Sequence, residues 1–545
     1  MRDKHQEKRL AAVAGSLILG ALLCAPAFVA RAQQSALAQD VTNPFHEGVL
    51  AEVAQGSELK EVCFGDKHVA WIENQGGKRV VKLDGKPQGG VYDEVKHMNF
   101  NEDEAHFGFF AKRNSEWVFV LDGQEHSPGY TKTTEADFQP NGNSIAYGVC
   151  HEKKCRLVVD GTDAGAEYED ISYPLYSHDG KRLAYIGKRG KKWIAVVDGK
   201  EMGTELDEVW FSAWGFSHDG SRFHVAGRIK SKWMHVVDGV PGPGFEVISP
   251  IAFSHDGRHY AYGGADATGG FKKQKTFGTM TVDGQSTGTY EGRGMAGTWT
   301  ALGGSHEVMS VGVREFIPDF HGISTPQFNS ESKLVFAARR DKGDVAVFVG
   351  GEPGPGFDEI LSPVAFSADS KHSAYVGKRG EDFVEVRDNQ AGQTFNAGKR
   401  GPTDVHWIAI SLDGAHLAYE IVSGGAQFKA GNTRRALRSV VIDGKAGTEY
   451  DALGLTNFDF AGDERHYFYQ VIGAKGGRDL VNVDGHESRL YDAVANAHYV
   501  EGGKTVRFLA RDGGRLLGVT YALSSVSNPT TAINQISLPL GGLGH

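Results

Sequence analysis

Tyr176-Ser-His-Asp-Gly-Lys-Arg-Leu-Ala-Tyr185 places an aromatic residue, a tight polar turn and a second aromatic nine positions on, and the chain repeats the device. Phe253-Ser-His-Asp-Gly-Arg-His-Tyr-Ala-Tyr262 and Phe366-Ser-Ala-Asp-Ser-Lys-His-Ser-Ala-Tyr375 follow the same plan. In the Asp-Gly turn, glycine takes positive φ without steric cost and the carboxylate caps its own backbone. About thirteen residues beyond the second aromatic comes Val-Asp-Gly, as at Asp160, Asp198 and Asp238. An acidic segment follows, such as Tyr92-Asp-Glu-Val95 or Leu206-Asp-Glu-Val209.

Working outward, the lead residues are Phe64, Phe100, Phe138, Tyr176, Phe216, Phe253, Phe328, Phe366, Ile410, Phe460 and Val500. Their spacings are 36, 38, 38, 40, 37, 75, 38, 44, 50 and 40 residues. The 75 is close to two periods and predicts a degenerate unit at Trp299–Val308, which makes about twelve. Each period reads as four strands. The lead residue ends strand a, the Ala-Tyr stretch is strand b, the Val-Asp-Gly run is strand c and the Tyr-Asp-Glu-Val run is strand d. Four short strands per repeat, with turn signals at regular intervals, is the pattern of a propeller blade, with a strand solenoid as the alternative.

The expected fold is therefore an all-β propeller of about twelve four-stranded blades, as two tandem six-bladed rings, or alternatively as one large ring. Residues 57–290 hold six units and 291–523 hold five plus the degenerate one, with a tail at 524–545. The last unit ends near Leu523 without a strand d, while Val49–Val53, in the segment 33–56, has no strands before it. Those two fragments are expected to pair.

The Ser-His-Asp-Gly runs at 177, 217 and 254 resemble the WD-like repeat of TolB and of the N-terminal propeller of prolyl oligopeptidases. The resemblance covers about residues 57–523 and implies the fold. TolB carries an α/β domain ahead of its propeller, and the 24 residues from Gln33 to Gly56 cannot hold one. A peptidase would need a nucleophile elbow, and the nearest approach, Gly142-Asn-Ser-Ile-Ala146, lacks its last glycine.

A charged segment with Arg2, Lys4, Lys8 and Arg9, an apolar run from Leu10 to Ala30 and Ala30-Arg31-Ala32 read as a cleavable export signal over residues 1–32, or alternatively as a retained anchor. Periplasmic or secreted localisation follows from cleavage, with no membrane association afterwards. The whole chain has 58 Lys+Arg against 68 Asp+Glu, and residues 1–32 carry five and two of these, leaving 53 against 66. A formal charge of −13 argues against nucleic acid as a partner.

Three cysteines remain. Cys150 and Cys155 align with the end of strand b and the start of strand c, so a disulfide is expected across that hairpin, with a zinc site using His151 as the competitor. Cys63 reads as a buried small hydrophobe. No catalytic motif rises above the repeat, and no cofactor is expected. His178, His218 and His255 share one turn position, which makes a metal site or pH switch conceivable beside the plainer reading as exposed turn residues.

The b–c loops and d–a links of a propeller open on one face, and the a–b and c–d turns on the other. Cations recur in the b–c loops: Lys112, Arg113, Lys188, Arg189, Lys191, Lys192, Arg228, Lys230, Lys232, Arg339, Arg340, Lys378 and Arg379. Two of these loops are long and add Lys272, Lys273 and Lys275 in one, and Lys429, Arg434, Arg435 and Arg438 in the other. Repeat proteins place insertions on the binding face. Against a basic rim stands the plain role of Lys and Arg in solubilising hairpin tips, and acidic residues such as Asp207 and Glu208 are placed to neutralise it. The expected function is an exported binding module for an unknown protein, peptide or envelope polysaccharide, acidic partners included. A propeller-type glycan hydrolase or lyase is the alternative.

Overall fold

The computed structural model describes residues 44–523 except 53–57, 66–67, 269–274, 293–325, 341–342, 368, 370, 397–401, 424–435 and 501. The export segment, the Trp299–Val308 unit and the C-terminal tail lie outside the described residues.

Among the described residues all but a single 3-10 turn of the regular structure is strand, arranged as eleven antiparallel sheets of the β-propeller blade type. In the first, Glu58–Phe64, Val69–Gln75, Lys78–Leu83 and Lys86–Tyr92 lie side by side in chain order as strands a to d. We number the blades 1 to 11 along the chain. Every lead residue read from the sequence, from Phe64 to Val500, is the last residue of a strand a. The Tyr-Asp-Glu-Val run is not one strand: Tyr92 ends strand d of blade 1, and Glu94–Phe100 is already strand a of blade 2. Asp93 alone makes the link, its N–H donating to Lys112 O of the next sheet at 2.8 Å.

The chain groups into two compact units, 53–396 and 397–523 with 44–52 among the described residues. Unit 1 holds blades 1 to 8 and unit 2 holds blades 9 to 11. Blades 6 and 7 pack directly on one another, Ala261 and Met280 against Phe336 and Ala338. The described sheets thus number eleven, eight in one unit and three in the other, in place of twelve in two sets of six.

Apolar clusters join consecutive sheets. Between blades 1 and 2, Tyr92 and Val81 meet Phe107 and Phe109, and between blades 4 and 5, Ile186 and Leu206 meet Trp214 and Phe223. Turn chemistry is equally regular. The Val-Asp-Gly aspartates take left-handed φ, 49° at Asp122 and 51° at Asp198. One oxygen of each accepts the N–H that opens strand b, from Phe107 at 2.9 Å and from Leu183 at 3.0 Å. The other oxygen takes the preceding side chain, His106 Nδ1 at 2.8 Å and Arg182 Nε at 3.0 Å. A second device joins strand d of one blade to the next: Tyr92 donates to Glu125, Tyr168 to Glu201 and Tyr450 to Glu487, at 2.8–2.9 Å.

Blade 11 is completed by the far end of the chain. Phe45–Glu52 pairs antiparallel with Arg515–Ala522 from Phe45↔Tyr521 to Glu52↔Arg515 and supplies the missing strand d. Glu47 in that strand accepts from Tyr491 Oη at 2.6 Å, the same Tyr-to-Glu bond used between other blades.

Candidate functional site

Strand a, the first strand of each sheet, is interrupted in most blades. Its register to strand b skips between Lys96 and Asn99, between Thr133 and Ala136, and between Val209 and Trp214. In blades 4, 6 and 8 it splits into two short pieces at Pro174, Pro250 and Pro363. A hydroxyl replaces the lost ladder bond: Ser172, Ser249 and Ser362 accept the N–H of Ile186, Gly263 and Val376 at 2.8–2.9 Å. Bulges free side chains from the pleat and aim them elsewhere.

The widest skip, in blade 5, releases Trp210 to Ala213 from pairing and gathers aromatic rings at the b–c side of blades 4 and 5. Phe211 is 40% exposed and meets Trp193, the second residue of strand c in blade 4, edge-on at 4.9 Å. Trp214 packs against Tyr173 at 5.0 Å, and Tyr173 Oη donates to Phe211 O at 3.5 Å. Lys188 pairs across the hairpin with Trp193 and holds its ammonium 5.2 Å from the ring centre. The same cross-strand position pairs Lys112 with Trp117 and Arg228 with Trp233. An apolar, aromatic-walled surface with a few fixed polar groups is the usual make-up of a ligand site.

Most cations of the b–c rim are already matched. Arg113 meets Glu125 at 2.6 Å, Arg189 meets Glu201 at 2.5 Å, Lys192 meets Asp207 at 2.8 Å and Lys232 meets Asp266 at 2.7 Å. Arg228 pairs with Glu208 and Arg340 with Asp344. Asp207 also accepts the Lys230 N–H at 2.7 Å. The acidic d–a links therefore hold the b–c turns of the following blade as well as neutralising them.

Lys191 is an exposed turn residue. Lys272, Lys273, Lys429, Arg434 and Arg435 lie outside the described residues, and Lys275 is described only as the first residue of strand Lys275–Val282. Arg438 sits in strand c of blade 9, where its Nη1 donates to the buried Glu420 at 2.5 Å and to His406 Nδ1 at 3.0 Å. It is built into the fold and not presented at a loop tip.

Cys150 and Cys155 face each other across the hairpin of blade 3 and form a disulfide. They occupy the position that holds a cation and a tryptophan in blades 2, 4 and 5. Asp170 Oδ lies close by, but bridged sulfurs offer no thiolate to zinc, and His151 is not gathered with them. Cys63 is a buried thiol packed among Val81, Met98 and Phe100.

Asp137 Oδ2 in strand a of blade 3 accepts the Tyr176 N–H of the next blade at 2.7 Å. Burial pushes its carboxyl up to about 7 from 3.8. Above pH 7 the folded chain thus carries a buried charge, while below about pH 4 both folded and unfolded chains are protonated and no cost arises. Stability falls as pH rises from about 4 to 7. Asp137→Asn keeps the acceptor and removes the charge, so in urea titrations it should be more stable than wild type at pH 8 by about 2–4 kcal/mol and equal to it at pH 4. A wild type that is the more stable form at pH 8 would contradict the assignment.

No family model matches the chain, and no curated protein does either. Several solved structures are similar to the chain. A eukaryotic initiation factor matches at 11% identity and TM-score 0.36, over 72% of this chain and 94% of that one. The Dos1 propeller matches at 10% and 0.27, over 78% and 92%. The propeller domain of the Trilobed protease from Pyrococcus furiosus matches at 10% and 0.25, over 80% and 96%.

Proposed function

We propose that this chain is an exported β-propeller binding module, built from repeats of the TolB-like kind, that recognises a protein, peptide or envelope polysaccharide on the b–c face of blades 4 and 5. The observation that carries the reading is the Trp193–Phe211 group: a bulge leaves four residues, Trp210 to Ala213, unpaired and keeps a phenylalanine at the surface beside a cation-capped tryptophan. Export is supported by the N-terminal pattern and agrees with the Cys150–Cys155 bridge.

Because the rim cations are paired, aromatic contact and the Lys188 and Lys191 ammonium groups dominate recognition, in place of a broad positive field. The ligand presents a sugar ring or an apolar side chain, with an acidic group as an addition. A panel of envelope polysaccharides and peptides should yield a binder whose affinity falls at least about tenfold, or 1.4 kcal/mol, in Trp193→Ala with Phe211→Ala. Lys181→Ser, on the opposite face and 80% exposed, should leave it unchanged. Arg182 is unsuited as a control because it braces Gly220 O and Ser221 O of the next blade. Binding that ignores the aromatic pair and follows Lys181 would place the site on the other face.

Burial, and after it the charges of Glu135 and Asp137, raise the Tyr173 hydroxyl above its ordinary value, and a glycan hydrolase or lyase, the alternative, would be sought among these groups. Reducing-end release abolished by Asp137→Asn would establish that reading in place of simple binding.

A further inference from the structure

The a–b turns of blades 4, 5 and 6 are built alike, and their histidines stand in a row. Ser177, Ser217 and Ser254 each donate Oγ to the aspartate two residues on, at 2.5–2.6 Å, which fixes the turn and its φ-positive glycine. The residue between them points to solvent. The His178 and His218 rings lie 4.9 Å apart and His218 and His255 5.0 Å apart, with planes tilted by 30° and 31°. No hydrogen bond engages these three rings among the described residues, so their nitrogens face water. At the turns into strand b of other blades the histidines are committed: His68, His106, His259, His372, His416 and His466 each hold a Val-Asp-Gly-type aspartate at 2.6–2.9 Å.

We propose that His178, His218 and His255 form a binding site for a divalent transition metal, Zn(II) or Cu(II), in which the central His218 chelates the ion together with either neighbour. Metal–imidazole bonds of about 2.0–2.1 Å in a tetrahedral shell need the two nitrogens roughly 3.3 Å apart. Rotation of two exposed rings about their own side-chain bonds closes that gap without moving the backbone. The outer two rings are two steps apart and cannot share an ion, so the site takes one ion at a time.

One oxygen of each neighbouring carboxylate is held within its own turn. Asp179 Oδ1 accepts Ser177 Oγ and the Lys181 N–H, Asp219 Oδ1 accepts Ser217 Oγ and the Ser221 N–H, and Asp256 Oδ1 accepts Ser254 Oγ and the Arg258 N–H. The donors that this site relies on are imidazoles, which suit zinc and copper and not magnesium or calcium. Two protein ligands leave the rest of the shell to water, an open site. It lies on the face opposite Trp193 and Phe211 and stands independently of the ligand proposed there.

The test is calorimetric titration of the full chain with zinc chloride at pH 7.5, repeated with copper(II). One ion per chain should bind with Kd below about 100 µM, and His218→Ala, which breaks both pairs, should weaken it at least about tenfold. His178→Ala or His255→Ala alone leaves one pair and should cost less than about threefold, while the double variant should match His218→Ala. The turn tolerates these changes, since Ala368 and Leu412 hold the same position in two other repeats, and unchanged melting curves check it. Zinc binding that is undiminished in His218→Ala, or absent at millimolar metal, would overturn the proposal.

Discussion

Replacing Arg438 with alanine should destabilise unit 2 by about 3–5 kcal/mol, the usual cost of leaving a buried charge without its partner. Glu420 lies in strand b of blade 9 with its side chain 2% exposed, and Arg438, on the neighbouring strand c opposite Val422, reaches it diagonally and is 13% exposed. Burial already raises the Glu420 carboxyl above its ordinary value even with the guanidinium beside it. Without Arg438 the raise grows, so the folded chain takes up a proton that the unfolded chain gives up, and the loss should be larger at pH 8 than at pH 4. Substituting both residues, Glu420→Leu with Arg438→Met, removes the buried charge altogether and should recover most of the stability. Urea titrations of the three chains check this. A single variant that melts like wild type would mean that Arg438 is the loop cation its sequence position suggests.

The N-terminal strand carries the second large effect. Phe45 is 5% exposed and packs against Tyr521 at 4.9 Å and Phe508 at 6.2 Å, inside the core of blade 11. Truncating a buried phenylalanine costs about 3–5 kcal/mol, and Phe45→Ala should cost that much although it lies more than 400 residues from its partners. Glu47→Ala removes acceptors for Arg489 Nε at 2.6 Å and Tyr491 Oη at 2.6 Å, but Arg489 keeps Asp512 at 3.0 Å, so its cost is smaller. Amide exchange along Arg515–Ala522 should quicken most in Phe45→Ala, because that strand becomes an open edge. Loss below about 1 kcal/mol would show that the strand is not integral to the blade.

The repeat was legible because turns are local. Asp-Gly and Val-Asp-Gly specify backbone conformations within a few residues, and all eleven strand a ends fall where the lead residues place them. The split of Tyr92 from Glu94 was not legible, since a single-residue link between sheets leaves no glycine or proline to mark it. The spacing of 75 residues likewise counted chain and not space, and direct packing of Met280 on Phe336 is a fact of three dimensions. Charge behaved the same way. Arg189 and Lys192 stand out along the sequence, while their partners Glu201 and Asp207 arrive one or two strands later and cancel them. The aromatic group had a sequence signal that a search for cations passes over: Trp210, Phe211, Trp214 and Phe216 crowd one short strand. The bulge that turns Phe211 outward is what converts that crowding into a surface.

Hydrogen–deuterium exchange of the full chain, with and without a saturating binder from the polysaccharide and peptide panel, tests the assigned face most directly. Protection should concentrate at 190–193 and 208–214, the b–c turn of blade 4 and the bulged strand of blade 5. Protection confined to the a–b turns at 177–181 and 217–221, with none at 208–214, would contradict it.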